Sequence, residues 1–351
     1  MKILITTDLY AVKTNGVSVS VRNLVSELKE RGEDVRILTL SQNHRSYVKN
    51  AVYYIGSFSL EKIYPGVRGS LCAHSSLLEE LIEWKPDVIH SQCEFFTYSF
   101  AERIAHRTGA PIVHTYHTLY EQYSRYVIPN QALGNYLVRK LVKWRLHSAS
   151  EVIAPTEKTA NILTDYHIDK PIYTVPTGLD LSRFDRRITS ERRRQLQARY
   201  GIAESDFVLV YIGRFGAEKS IGKLLMLLSK TLPRVPRLKL LLIGDGPERE
   251  RLKEETMRLD VQDHVIFTGM VSPEDVSDYY QLGDVFVSAS KSETQGLTYV
   301  EAAASGLPLV CASDPCLDGV LQSGVNGVAF DTMEEFVDAV LELREDPAFR
   351  S

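Results

Sequence analysis

The sequence predicts an α/β protein of two Rossmann-like domains that face each other across a cleft. Three observations carry that expectation. At 351 residues the chain is about two ordinary domains long. Apolar runs of strand length recur with helical-length segments between them, the pattern of βαβ units on parallel sheets. That pattern pauses once, at residues 180–194 within LDLSRFDRRITSERRR, where the chain is charged and shows no core face, and then resumes. The domains are therefore placed at residues 1–180 and 181–351.

In the first half the runs fall at residues 3–5, 35–40, 88–89, 112–113, 152–154 and 172–175. In the second they fall at 207–212, 238–243, 265–267, 285–287 and 309–310. Near-continuous apolar runs of this length read as parallel strands buried on both faces. Ligands of such sheets bind beyond the carboxyl ends of the strands, so the residues just after each run are the candidates for chemistry. A dinucleotide site of the dehydrogenase kind is disfavoured, because no G-x-G-x-x-G follows the first strand.

Net charge is −4, but residues 1–180 hold 20 Lys+Arg against 18 Asp+Glu and the remainder 21 against 27, balances of +2 and −6. A weakly basic half joined to an acidic one argues against nucleic acid and is compatible with one half facing an anionic surface. Cys72, Cys93, Cys311 and Cys316 have neither metal nor redox spacing and read as reduced thiols. MKILITTDLY runs straight into a strand, so no signal peptide is visible, and no apolar stretch reaches about 18 residues. The expected location is cytoplasmic.

The densest chemistry lies in SETQGLTYVEAAASGLP. Glu293 sits in a polar turn after the run DVFVSA, and Glu301 sits in an apolar helical segment stopped by Gly306 and Pro308. Strand, loop and helix N-terminus make an anion site from free amides and the helix dipole. Thr294, Gln295 and Gly296 supply the loop, and Leu297 and Thr298 open the helix. In GRFGAEKS, Gly213 permits a tight strand exit, Arg214 offers a bidentate donor and Lys219 a point charge, with Glu218 available to hold one of them. Gly244 and Gly246, before Pro247, either let a nucleotide approach or simply start a helix with Pro247 in its first turn. Asn15-Gly16-Val17 follows the first strand, where Gly16 allows close approach of a ligand or makes a plain strand–helix turn. Asp8 ends that strand and can cap the loop.

These motifs resemble the retaining glycosyltransferases of family 4, which have the GT-B fold and use nucleotide-sugar donors. They fall in family order across nearly the whole chain. The resemblance implies that Glu293 contacts donor-sugar hydroxyls, Glu301 holds the ribose, Arg214 and Lys219 clamp the diphosphate, Gly16 meets donor phosphate, and Gly244 and Gly246 lie near the base. HTYHTLYEQY resembles the acceptor-side signature of the family's bacterial glycolipid-forming members. That implies a role for His117 on the donor sugar or acceptor hydroxyl, with Tyr116 and Tyr120 beside it. HSQCE at residues 90–94 departs from relatives that commonly show a second histidine there.

Residues 135–150, NYLVRKLVKWRLHSAS, form a basic amphipathic helix. Leu137, Leu141, Trp144 and Ser148 share one stripe with Val138, Val142 and Leu146 adjoining, and Arg139, Lys140, Lys143 and Arg145 cover much of the rest. Either it lies on an anionic membrane surface, joined by Tyr64, Pro65 and Val67, or it packs on the sheet as an ordinary surface helix. The glycolipid resemblance implies the former, peripheral on the inner face of the cell membrane. It also implies transfer of glucose from UDP-glucose to diacylglycerol with retention, as in the α-monoglucosyl-diacylglycerol synthases of Gram-positive bacteria. No cofactor and no metal is expected. The alternatives are another hexose donor, a soluble or polyprenyl acceptor, or a non-catalytic membrane-docked nucleotide-sugar binder. The chain stops at Phe349-Arg350-Ser351, so the family's final crossing helix is expected to be missing.

Overall fold

Buried strands alternating with capped helices build two separate sheets. The structure is a computed structural model that describes residues 1–10, 16–60, 67–70, 75–124, 128 and 130–346. Asn15, Tyr64, Pro65, Cys72 and the terminal Phe349-Arg350-Ser351 lie outside the described residues. The chain divides into two compact units, Met1–Leu179 and Asp180–Ser351.

The N-terminal unit runs β1 (Lys2–Thr7), α1 (Gly16–Glu30), β2 (Asp34–Leu40), β3 (Tyr47–Lys49), β4 (Val52–Ile55), β5 (Phe58–Ser59), β6 (Arg68–Gly69), α2 (Ser76–Trp84), β7 (Val88–Ser91), α3 (Phe96–Thr108), β8 (Ile112–Thr115), α4 (Tyr120–Ser124), α5 (Gln131–Leu146), β9 (Glu151–Ala154), α6 (Glu157–Asp165) and β10 (Ile172–Thr174). Its main sheet has the order β10-β9-β8-β7-β1-β2-β4-β3, parallel except for the antiparallel edge strand β3. β5 and β6 form a small separate pair. The strand order reverses between β1 and β7, so the loops after those two strands diverge and leave a crevice at their carboxyl ends. Asp8, after β1, closes this end of the sheet: its Oδ1 accepts the Thr97 amide at 2.8 Å and its Oδ2 the Phe96 amide at 3.2 Å. It therefore caps α3, where the partial positive charge of the helix end favours an anion.

The C-terminal unit runs α7 (Ser190–Tyr200), β11 (Phe207–Ile212), a 3₁₀ turn (Ala217–Lys219), α8 (Ile221–Thr231), β12 (Leu238–Ile243), α9 (Arg249–Arg258), β13 (Val265–Gly269), α10 (Val276–Tyr280), β14 (Val285–Ser288), α11 (Leu297–Ala304), β15 (Leu309–Ala312), β16 (Gly327–Phe330) and α12 (Met333–Glu345). All six strands are parallel, in the order β13-β12-β11-β14-β15-β16. Renumbered within the unit this is 3-2-1-4-5-6, the order of nucleotide-binding doubly wound sheets. The last helix, α12, is fixed by a capping box between Thr332 and Glu335.

Two readings of the sequence need correction here. The charged segment after residue 180 does have a core face, because Phe184 is 1% exposed and packs edge-on against Tyr280. One large aromatic in a charged run carries no periodicity, so pattern reading passed over it. Pro247 is not in the first turn of a helix, since α9 begins at Arg249 with Glu248 as its cap.

Candidate active site

At the switch point of the C-terminal sheet, between β11 and β14, the exits of the two strands bring together motifs some eighty residues apart in sequence. After β11, Gly213 leads into Arg214, whose Nη1 lies 3.7 Å from the buried carboxylate of Glu218. Burial alone lowers the pKa of the Arg214 guanidinium, and the Glu218 charge opposes that fall. Glu218 thus holds one of the two cations. Lys219 is held by the other loop: its Nζ donates to Glu293 Oε1 at 2.7 Å, with both side chains largely buried. The two cationic groups of this motif are each neutralised by a carboxylate in the structure described.

Beyond Glu293 the chain turns at Gly296, whose φ of 71° is the left-handed conformation glycine favours, and a Cβ there would strike the Tyr299 ring. α11 starts directly after, so the amides of Leu297 and Thr298 in its first turn lack intrahelical acceptors. Gln295 sits in the same loop. Glu301, one turn further on, is mostly buried and its carboxyl is pushed up by that burial. Its Oε2 accepts from Tyr280 Oη at 2.9 Å, and Arg183 Nη2 lies 3.8 Å from its Oε1. The glycines Gly244 and Gly246 have a packing reason: a Cβ at either would sit on the backbone of Gly213 or Phe215, so they let the β12 exit lie flat on the β11 exit.

Arg183 and Tyr280 are the residues that sequence reasoning missed here. Phe184 anchors the segment after residue 180 and leaves its neighbour Arg183 beside Glu301, a juxtaposition no local pattern encodes. Arg183 stabilises the charged form of Glu301. A carboxylate accepts hydroxyl hydrogens only while ionised, so binding of UDP should weaken as pH falls through the raised pKa of Glu301. Arg183→Ala is expected to move that acid limb to higher pH and weaken UDP binding several-fold, with Arg183→Lys restoring most of the profile. Calorimetric titration of UDP from pH 5.5 to 8 checks this; superimposable wild-type and Arg183→Ala profiles would remove Arg183 from the site.

In the N-terminal unit the crevice at β1 and β7 holds a buried polar cluster. His117, just past β8, has its Nε2 2.7 Å from Gln92 Oε1. His114 in β8 is fully buried with Nε2 3.0 Å from Glu94 Oε1, and Tyr120 Oη donates to the other Glu94 oxygen. His90 in β7 shares a hydrogen with Thr115 Oγ1 at 2.7 Å. Desolvation, then the neighbouring histidines, hold His117 down to about 3 and His90 down to about 4. Tyr116, expected among the acceptor contacts, is instead a core side chain with no exposed surface. Gly16 opens α1, and a Cβ there would meet nothing within 4 Å, so no packing among the described residues demands a glycine.

The two depressed histidines have a consequence for stability. Unfolded, each returns to its model value of 6.5. Between there and about pH 4 the unfolded chain binds protons that the folded chain refuses, so stability falls as pH drops. The slope is roughly 1.4 kcal/mol per pH unit for each histidine. Urea midpoints at pH 7 and 5.5, above the range of ordinary carboxylates, should differ accordingly. Equal midpoints would contradict the buried, neutral state of these rings.

Helix α5 has two apolar faces. Val142 and Leu146 are buried and Val138 packs beside them, in the cluster around Val152 and Leu163. On the opposite face Leu133, Tyr136, Leu137, Leu141 and Trp144 are exposed, Trp144 by 64%. Lys140 and Lys143 are exposed on the flank of that stripe. Two other cations of the helix are committed inward: Arg139 Nε donates to Glu121 at 2.9 Å, and Arg145 Nη1 donates to Ser99 at 3.0 Å and lies 3.5 Å from Glu102. Val138, Val142 and Leu146 therefore do not extend the exposed stripe but oppose it. Among the described residues no helix is long and apolar enough to cross a membrane, and no group of three or more His, Cys, Asp or Glu could hold a metal ion.

Comparison with known proteins gives this geometry its family. Residues 14–183 match the model described as Glycosyltransferase Family 4, and residues 192–351 the model described as Glycosyl transferases group 1. The chain is 34% identical over 347 residues to alpha-monoglucosyldiacylglycerol synthase of Streptococcus pneumoniae, covering 97% of this chain and 78% of that one. It is 30% identical to the Acholeplasma laidlawii protein of the same name, covering 99% and 89%. It is also 30% identical to sulfoquinovosyl transferase SQD2 of Arabidopsis thaliana, covering 94% and 63%. Among solved structures, sucrose-phosphate synthase of Thermosynechococcus elongatus superposes with a TM-score of 0.77 at 20% identity, covering 99% and 90%. Anabaena Alr3699/HepE in complex with UDP-glucose superposes with 0.73 at 17%, covering 100% and 91%. With its two parallel sheets and its two family matches, the chain belongs to glycosyltransferase family 4 and is a retaining glycosyltransferase of the GT-B fold class.

Proposed function

We propose that this enzyme transfers glucose from UDP-glucose to the free hydroxyl of diacylglycerol at an anionic membrane surface, giving α-monoglucosyl-diacylglycerol. The observation that carries the lipid acceptor is the exposed stripe Leu133, Leu137, Leu141 and Trp144 with Lys140 and Lys143 beside it. Solvent-facing leucines and a tryptophan on a cation-flanked helix suit the boundary between headgroups and acyl chains. The two relatives named as monoglucosyldiacylglycerol synthases support the same acceptor. In this reading the enzyme is peripheral on the inner face of the membrane.

In the C-terminal unit, Glu301 takes the ribose hydroxyls, Glu293 the sugar hydroxyls, and Arg214, Lys219 and the first-turn amides of α11 the diphosphate. As the C1–O bond of UDP-glucose breaks, negative charge grows on the β-phosphate, and fixed cations and amides stabilise it without reorganising. The acceptor oxygen bonds to C1 on the face the phosphate leaves, and its proton passes to the departing phosphate oxygen, so the α configuration is kept. His117 orients a hydroxyl of the sugar or the acceptor. No metal is assigned a step, because Arg214 and Lys219 supply the countercharge. Incubation with UDP-glucose, UDP-galactose or GDP-mannose and with diacylglycerol, polyprenyl phosphate or soluble sugars, followed by mass analysis, tests the assignment. A hexosyl-diacylglycerol formed selectively from UDP-glucose is expected; a different donor or acceptor preference would replace it.

A further inference from the structure

The β7 exit and the β8 exit pair their side chains in register. Gln92 meets His117, and two residues on, Glu94 meets His114, three residues before His117. Two histidines on one strand end are thus given chemically different partners. The buried His114 has a carboxylate, itself bridged to Tyr120, whereas His117 has a carboxamide that is 2% exposed. The amide nitrogen of Gln92 has no partner among the described residues, so its bond to His117 is the polar contact that fixes this side chain.

We infer that Gln92 is a positioning residue, holding His117 as a neutral imidazole with its hydrogen on Nε2. An amide carbonyl accepts a hydrogen but, unlike a carboxylate, gives no charge that would favour imidazolium. The hydrogen bond of one ring nitrogen sets the state of the other, so Nδ1 becomes the accepting nitrogen, suited to a hydroxyl. The surroundings agree: His90 from β7 and His114 from β8 both disfavour a charge on His117, and burial does so more strongly. The nearby carboxylate, Glu94, is engaged by His114 and Tyr120, and Cys93 is bonded to Thr7 Oγ1. The consequence for transfer rests on the hydroxyl-orienting role proposed for His117; the state of the ring does not.

The test is ¹⁵N-histidine spectroscopy of the full chain, with the His117 signal assigned by its loss in His117→Ala, beside kinetics with UDP-glucose and diacylglycerol vesicles. Wild type should show a neutral Nε2–H ring from pH 5 to 8. Gln92→Leu should lower kcat by about 10–100-fold, the range seen when the outer partner of a metal-bound histidine is removed, with donor KM and Tm little changed and the two ring tautomers mixed. Gln92→Glu should make His117 titrate within that range and add a matching limb to the kcat profile. A wild-type ring carrying its hydrogen on Nδ1, or a Gln92→Leu ring identical to wild type, overturns the inference. Undiminished turnover in His117→Ala is a distinct result, which removes His117 from the transfer reaction while the spectra still decide the role of Gln92.

Discussion

Replacing Lys219 by alanine is expected to lower kcat/KM for UDP-glucose by about 10²–10³-fold, the cost of removing one preorganised stabiliser of a growing anion. Two effects combine. The positive charge facing the diphosphate is lost, and Glu293, bonded to Lys219 at 2.7 Å, becomes an uncompensated carboxylate in a largely buried setting. Because the two side chains act as a pair, their substitutions will not add. Glu293→Gln should cost less in the Lys219→Ala background than in wild type, with a coupling of about 0.5–3 kcal/mol. Lys219→Arg keeps the charge but changes its shape, so it should recover only part of the rate. Initial rates of UDP release measure all four variants. A Lys219→Ala enzyme within threefold of wild type would mean that the diphosphate is held elsewhere.

Exchanging Leu137, Leu141 and Trp144 together for glutamine is expected to weaken partitioning onto anionic vesicles by 10²-fold or more. Full burial of each such side chain is worth about 1.5–3 kcal/mol, and every 1.4 kcal/mol is tenfold in binding. The folded state should not notice, because these side chains face solvent and surface changes usually stay within about 0.5 kcal/mol. Lys140→Gln and Lys143→Gln should each remove about 1 kcal/mol, an effect that fades as salt screens the surface. Co-sedimentation with vesicles, a melting curve and UDP affinity on the same preparations separate docking from folding and from donor binding. Unchanged partitioning of the triple variant would assign the stripe to something other than lipid.

How far each feature was legible depended on whether its information was local. Continuous apolar runs such as FVLVYI and LKLLLI announced buried parallel strands, because both faces of those strands are covered. β4, reading VYYI, and β16, reading GVAF, were passed over, as mixed aromatic or small side chains blur a four-residue run. The donor motifs were visible because each is a strand exit, a loop and a helix start within a dozen residues. Their partners were not: Arg183 and Tyr280 reach Glu301 only through tertiary packing, and Gln92 reaches His117 only because β7 and β8 are neighbours. Helix α5 was recognised as basic and amphipathic, but which of its two apolar faces packs inward depends on the sheet beneath it.

UDP release from UDP-glucose, with and without vesicles containing diacylglycerol and anionic lipid, tests the central claim most directly. The account predicts release that is slow without lipid and rises strongly with it, one α-glucosyl lipid forming for each UDP. Release indifferent to the vesicles, or none with UDP-glucose in their presence, would contradict it.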